Sequence, residues 1–352
     1  MIHDEKYLTY LPHSGFHNQR IELENGIFLA WFLNRTLIIP PLLMYKGPSL
    51  IPKNPFDELY MDLLNHTSFN NNNEAEPYIG YSWEELMNFT FVKQNIKYIY
   101  RHNFNFTNLK ESLNIDYDNE VYNITNYRQQ YFDYLNSTKD LVEPVNLDYL
   151  NKISEKLLHF GSLFSSSKII TQLPENRNFR NKLKHMMLPN NPTILNIVDK
   201  IVDKIGGTNS YIGVHARIGD LRFLWSENET VKNLIETLQN DYNHTDLKNV
   251  STCLPTKIYL ATDGGHNTAS LQPFFETFPC VYVRDDFDDL LEPLRSLRNP
   301  NDDTIMYEFL KPFVDLLVVS RGNKFYPTYT STFSRYAKFL NIIWLKNKLS
   351  NA

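Results

Sequence analysis

Tyr211-Ile-Gly-Val214 is an apolar, largely β-branched run that breaks into the ionisable residues His215, Arg217 and Asp220. Such a run predicts a buried strand. It delivers those side chains at the strand's carboxyl end, where open α/β sheets bind ligands. A guanidinium fixed there offers a fork of donors matched to phosphate oxygens; a strand ending in a surface ion pair has the same pattern. Near the N-terminus the order is strand, loop, helix, strand. Tyr7 to Tyr10 reads as a strand, Leu11 to His17 as a loop, and Asn18 opens a helix to about Asn34. Ile21, Ile27, Phe28, Trp31 and Phe32 fall near helical spacing and give that helix a core face. Thr36 to Pro40 is a second buried strand. The helix start presents amide N–H groups and the positive end of a dipole to an anion. Gly15 stands alone where a dinucleotide fingerprint needs three glycines.

A third segment closes the chain. Phe313 to Ser320 reads as a helix, Lys324 to Tyr326 as a short strand, then a Ser/Thr-rich turn leads into a helix from Ser334 to about Lys348. Hydroxyls and amides at that helix start suit an anion, or serve as an ordinary N-cap. Residues 211–215, 257–262, 280–284 and 324–326 predict strands alternating with helices. The length of 352 residues predicts two domains, divided near Asn191-Pro192.

These segments together resemble the GDP-fucose-dependent fucosyltransferases, in particular the protein O-fucosyltransferase superfamily with its plant and fungal branches. The resemblance is carried by Ser14-Gly-Phe-His-Asn-Gln-Arg20, Asn34-Arg-Thr-Leu-Ile-Ile-Pro-Pro41, His215-Ala-Arg217, Ile258-Tyr-Leu-Ala-Thr-Asp263 and Tyr326-Pro-Thr-Tyr-Thr-Ser-Thr-Phe-Ser334. It implies an α/β fold of the GT-B class: a Rossmann-like acceptor-side domain over 1–192 and a Rossmann-like GDP-sugar domain over 193–352, facing across a cleft. The last helix is expected to pack back on the first domain. It implies an inverting, metal-independent transfer of L-fucose from GDP-fucose to a hydroxyl of a protein Ser/Thr or a glycan, with no cofactor beyond that donor. A catalytically silent sugar-nucleotide or glycan-binding module of the same fold is the alternative.

By the same resemblance Arg217 stabilises the departing GDP, together with the loop at Gly15, Phe16 and Asn18 and the turn at Ser331 and Thr332. His215 contacts the nucleotide or ribose, Asp263 and Phe333 lie where family members bind guanosine, and Asp220 orients Arg217. Some members carry a glutamate where this chain has Ser14, and others an arginine aligned with Gly15. His17 is then the candidate base, since it titrates in the right range.

Composition narrows the setting. The net charge of −5 with no basic run argues against nucleic-acid or anionic-membrane partners. No apolar stretch approaches the ~18 residues of a membrane span, and Met1-Ile-His-Asp-Glu5 has no signal-peptide layout. Sequons at Asn34, Asn65, Asn88, Asn105, Asn123, Asn136, Asn228, Asn243 and Asn249 exceed the roughly five expected from composition. They favour a secretory-pathway lumen, Golgi or ER, with a leader or anchor absent from this chain. Cys253 and Cys280, near the starts of neighbouring strands, are either a disulfide or two buried thiols. Asp116-Tyr-Asp118 and Asp286-Phe-Asp288 have the form of a divalent-metal ligand pair, a form that acidic loops also produce. Residues 52–145, with the loop tip Asn70 to Glu74 and many aromatics, read as an irregular insertion shaping an acceptor site.

Overall fold

The computed structural model describes residues 5–45, 78–101, 113–135, 137, 139–219, 221–242 and 257–350. The chain divides into two compact units, Met1–Asn191 with Pro300–Asp302, and Pro192–Asn299 with Asp303–Ala352.

The first unit is built on a parallel sheet of strands β1 (Tyr7–Tyr10), β2 (Thr36–Ile39), β5 (Tyr98–Tyr100), β6 (Val121–Ile124) and β9 (Leu157–Phe160), in the order β5-β2-β1-β9-β6. Strand β3 (Leu42–Tyr45) pairs antiparallel with β4 (Tyr78–Tyr81). Strands β7 (Gln130–Phe132), β8 (Pro144–Asn146) and β10 (Ile169–Ile170) form a small parallel sheet. Of residues 52–145, read from sequence as an irregular insertion, 52–77 and 102–112 lie outside the described residues. The described part supplies β4 to β8, and β5 and β6 are the edges of the main sheet. Strands of three or four residues are too short for alternation to register as a period. Of the aromatics there, Tyr81, Trp83 and Tyr131 are core, whereas Tyr127 and Tyr134 are exposed. The tip Asn70 to Glu74, Phe104 and Phe106 lie outside the described residues.

Helix α1 (Phe16–Leu33) packs on β1 and β2 and against α2 (Pro174–Met186). It begins two residues earlier than the pattern predicts, with Gly15 as N-cap, and ends at Asn34 in the left-handed conformation. Unusually, its polar side chains are buried too: Gln19, Arg20, Glu22, Glu24 and Asn25. Each is paired, as a buried polar group must be. The Gln19 amide accepts from Leu43 N–H at 2.8 Å and donates to Leu43 O at 2.8 Å and Ser14 O at 2.7 Å. Asn25 Nδ2 donates to Leu163 O at 2.9 Å, and Arg20 forms an ion pair with Glu24.

The second unit carries a parallel sheet in the order β13-β12-β11-β14, from β11 (Tyr211–Ala216), β12 (Lys257–Thr262), β13 (Val281–Tyr282) and β14 (Lys324–Tyr326). Its middle strand β11 is buried along its whole length. Ile212, Val214 and Ala216 join a core with Val231, Leu234 and Leu238 of helix α4 (Glu227–Asp241). Tyr211 and Gly213 instead meet helix α6 (Tyr307–Ser320): Tyr211 Oη donates to Val318 O at 2.5 Å, and a Cβ on Gly213 would lie 2.1 Å from Val319 O. Burial on both faces explains the unbroken apolar run in the sequence. Helix α3 (Pro192–Ile205) packs on α6 with Ile194, Ile197, Val198, Ile201, Val202 and Ile205 turned inward. Helix α5 (Gln272–Thr277) packs beside α4, and the last helix, α7 (Thr332–Ser350), packs on α6. Cys280, just before β13, is disulfide-bonded; Cys253 lies outside the described residues. No described helix is long and apolar enough to cross a membrane.

Candidate active site

Strand β11 stays paired with β12 as far as Ala216 and Thr262, but with β14 only as far as Val214 and Tyr326. His215, Arg217, Asp263 and Thr328 thus converge at the carboxyl end of the sheet. Thr328 fills the notch that β14 leaves. Its hydroxyl donates to His215 O at 2.7 Å and accepts the Arg217 N–H at 3.0 Å. The Thr328 N–H donates in turn to Ser334 Oγ at 3.0 Å, and Ser334 Oγ meets His215 Nδ1 at 2.7 Å. Ser334 is almost fully buried and must place its one hydroxyl proton. The acceptor is His215 Nδ1, which leaves the imidazole neutral with its proton on Nε2. Burial first, and the nearby Arg217 second, push His215 down to about 3. Phe333 lies over this ring at 4.2 Å with an interplanar angle of 23°.

Asp263 steadies the arginine. Its Oδ1 accepts Ile218 N–H at 2.8 Å, and its Oδ2 lies 3.4 Å from Arg217 Nε, with about a third of the Arg217 side chain exposed. Gly219 leaves that carboxylate room, since a Cβ there would come within 3.0 Å of the Asp263 Cγ. Sequence reasoning gave the orienting role to Asp220, which lies outside the described residues. Helix α7 starts at Thr332, not Ser334; Ser331 is its N-cap, accepting Ser334 N–H at 3.3 Å. Thr332 and Phe333 therefore contribute first-turn amides at this sheet end, with the dipole of a long helix behind them. Sequence reasoning singled out neither Thr328 nor Ser334 as fixing the site. A Thr-x₅-Ser spacing across a turn and a helix start was their only signal.

The first unit holds its own polar centre at the start of α1. Ser14 takes a left-handed φ of 65°, whereas Gly15, at φ −73°, has an ordinary extended conformation with open space at its Cβ position. Asn18 N–H donates to Gly15 O at 3.0 Å, so the first-turn amides aimed along the axis belong to Phe16 and His17. This revises the expectation that Asn18 opens the helix. The Asn18 Oδ1 is buried without a hydrogen-bond partner, and the His17 ring packs edge-on against Phe16 at 5.0 Å. Sequence reasoning missed His13 and Glu22. His13 Nδ1 lies 2.8 Å from Ser14 Oγ, and His13 Nε2 lies 2.8 Å from Ser162 Oγ and 3.2 Å from Glu22 Oε1. Glu22 is fully buried, which raises it well above the usual carboxylate range, while burial and then Lys168 push His13 down to about 4. Nothing in a helical repeat marks Glu22 as different from a surface glutamate.

Beside this centre Phe164, packed edge-on to the His13 ring at 5.4 Å, and Lys168 line a cavity of about 380 Å³ with Tyr127, Arg128 and Gln130. Of the acidic pairs, Asp286, Asp288 and Asp116 are already engaged. Asp286 binds Val283 N–H at 2.8 Å and His266 Nε2 at 2.9 Å, Asp288 bonds Arg295 at 2.8 Å and Tyr307 at 3.0 Å, and Asp116 accepts from Asn119 at 2.8 Å. Among the described residues no three His, Cys, Asp or Glu side chains gather as a metal site would require. Of the sequon asparagines, Asn34, Asn123 and Asn228 are exposed; Asn65, Asn105, Asn136, Asn243 and Asn249 lie outside the described residues.

An arginine and a helix start at the carboxyl end of a parallel sheet define an α/β protein with a site competent for an anionic ligand. The family follows from comparison. Residues 7–339 match the GDP-fucose protein O-fucosyltransferase family, and the chain belongs to it. A 46-residue stretch is 52% identical to O-fucosyltransferase 30 of Arabidopsis thaliana, covering 13% of this chain and 9% of that protein's length. Among solved structures, the chain is similar to POFUT1 in complex with GDP, at 13% identity and a TM-score of 0.49 over 96% of this chain and 94% of that one. It is also similar to the fucosyltransferase NodZ from Bradyrhizobium, at 15% identity and a TM-score of 0.48 over 96% and 93%. The two α/β units observed here are the components that the GT-B class combines.

Proposed function

We propose that the chain is an inverting fucosyltransferase that moves L-fucose from GDP-fucose to a hydroxyl of a protein Ser/Thr or a glycan. The observation that carries this reading is Arg217, held at the strand end by Asp263 and by Thr328 through its own amide, with its guanidinium partly open to solvent. In the proposed reaction the acceptor oxygen attacks the fucosyl C1 from the face opposite the phosphate, and the C1–O bond pair leaves with GDP. Arg217 and the first-turn amides of α7 stabilise the charge gathering on that diphosphate, the place where fixed donors contribute most. That positive charge stands in for a cation, so the transfer is metal-independent and needs no cofactor. His215, through Nε2, together with Phe333 and Asp263, contacts the nucleoside part, and the Gly15-Phe16-Asn18 loop contributes on the first unit.

The cavity beside Phe164 and Lys168 is the proposed acceptor subsite, because Tyr127 offers an aromatic face and Arg128 and Gln130 offer donors suited to sugar hydroxyls. The disulfide at Cys280 and the exposed sequons support a secretory-pathway lumen as the compartment.

Release of GDP, measured with GDP-, UDP- and ADP-sugars with and without chelator, tests the reading. GDP-fucose alone should be turned over, chelator should not matter, and Arg217→Ala should lower the rate by about 10²–10³, as loss of a transition-state donor does. Tight GDP binding without release, with or without acceptor, would instead assign a silent binding module.

A further inference from the structure

Ser14, His13, Ser162 and Glu22 form a continuous chain of hydrogen bonds from the half-buried turn before α1 to a carboxylate in the interior. The donors fix its direction. Glu22 accepts His13 N–H at 3.1 Å on Oε2 and the Ser162 hydroxyl at 3.4 Å on Oε1, with Leu163 N–H a further donor to the same carboxylate. Ser162 Oγ already accepts Phe164 N–H at 3.0 Å, so its hydroxyl proton serves Glu22 and its remaining lone pair takes His13 Nε2–H at 2.8 Å. His13 Nδ1 is then the lone-pair nitrogen, and at 2.8 Å it accepts the hydroxyl of Ser14. A hydroxyl on an imidazole that is itself oriented by a carboxylate is the arrangement that activates an oxygen by removing its proton. Ser14 is held for this at φ 65°, a conformation that non-glycine residues rarely adopt and that marks an over-determined position. The groups facing the chain are Lys168, whose charge acts on both Glu22 and His13, and the Tyr10 phenol, kept un-ionised first by its burial and second by Glu22.

We propose that Ser14 is the residue that takes the acceptor's proton, and that His13, Ser162 and Glu22 carry that proton inward. The proposal rests on the fucosyl-transfer reading and deepens it. The acceptor oxygen forms its bond to the fucosyl C1 while the C1–O bond to phosphate breaks toward GDP. The acceptor's proton passes to Ser14 Oγ as the Ser14 proton moves to His13 Nδ1. The proton released from Nε2 passes through Ser162 to Glu22, so the relay ends neutral at the carboxyl and no other reactant is consumed. Glu22 suits the last place because burial favours its neutral form, and the same burial disfavours an imidazolium at His13. Phe164 and Lys168, which border the relay, also wall the cavity proposed for the acceptor.

The test uses the full chain with GDP-fucose and water as the probe acceptor, following GDP release against pH in H₂O and D₂O. Wild type should show an acid limb set by Glu22, above the ordinary carboxylate range, and a solvent isotope effect on kcat. Ser14→Ala, which removes one hydroxyl from a half-buried turn, should lower kcat at least tenfold, with the isotope effect reduced and GDP affinity within about twofold of wild type. Glu22→Gln should lower kcat and abolish the acid limb; should that variant fail to fold, Ser14→Ala alone decides. Wild-type kcat, pH profile and isotope effect in Ser14→Ala would overturn the relay while leaving the transferase intact. Wild type that neither binds GDP nor releases it from GDP-fucose would remove the transferase reading, and the relay with it.

Discussion

His215 and His159, both buried, and the half-buried His13 are held as neutral imidazoles, and this has a cost in acid. His215 and His13 are held to about 3 and about 4, and His159 is lowered well below its ordinary value, in each case first by burial. In the unfolded chain all three titrate near 6.5. Below that pH the unfolded chain binds protons that the folded chain refuses, so each histidine removes about 1.4 kcal/mol per pH unit until its folded value is reached. Glu22 and Asp315, raised by burial, act oppositely, because the folded chain protonates them first as pH falls. Melting temperatures recorded from pH 7 to pH 4.5 should fall, and His215→Gln should melt with a visibly shallower slope. A slope unchanged by that substitution would mean the ring is not held neutral. Of the residues gathered at the sheet end, His215 and Arg217 were legible because a chemical group at the end of an apolar run is a one-dimensional signal, whereas Asp263 was reached only through the family resemblance. The partnership of His13 with Glu22 was not legible. It depends on a left-handed turn at Ser14 that folds the loop back over the first turns of α1.

At the level of elements, the packing of β11 against α6 leaves no room for a side chain at Gly213. A methyl group there would lie 2.1 Å from the Val319 carbonyl oxygen, a backbone atom that moves only with its helix. Gly213→Ala should therefore lower stability by about 1–3 kcal/mol, the range of overpacked cores. It should also reduce GDP affinity, because the same strand carries His215 and leads into Arg217. Urea midpoints and GDP titrations read the two effects; an unaltered midpoint would show that α6 yields. The sequence pattern named β1, β2, β11, β12 and α1 correctly in kind because each is apolar over a full strand or over several turns. It did not name β3 to β10, strands of two to four residues each, too short for a period to register. It also read α1 as amphipathic. The helix is buried nearly all round, and its polar side chains bind backbone groups of β3 and of residues 163–165.

Across the whole molecule, the two units have separate sheets and separate cores, and the proposed nucleotide contacts concentrate in the second. Ligand binding should therefore report on that unit. GDP at a hundred times its dissociation constant should raise stability by about 2.7 kcal/mol, seen as an upward shift in melting temperature. Arg217→Ala should show a much smaller shift at the same concentration, and an equal shift would place GDP elsewhere. Reduction of the disulfide at Cys280 should lower the melting temperature of the second unit by releasing a constraint on its unfolded chain. The notch where β14 stops short of β11 has a further meaning in time. The Arg217 amide lies past the last β11–β14 pair, where it donates to the Thr328 hydroxyl at 3.0 Å. Its hydrogen–deuterium exchange should follow the opening of the Thr328 side chain, and a ligand that stills that turn should slow this one clock while the rest of β11 keeps its own.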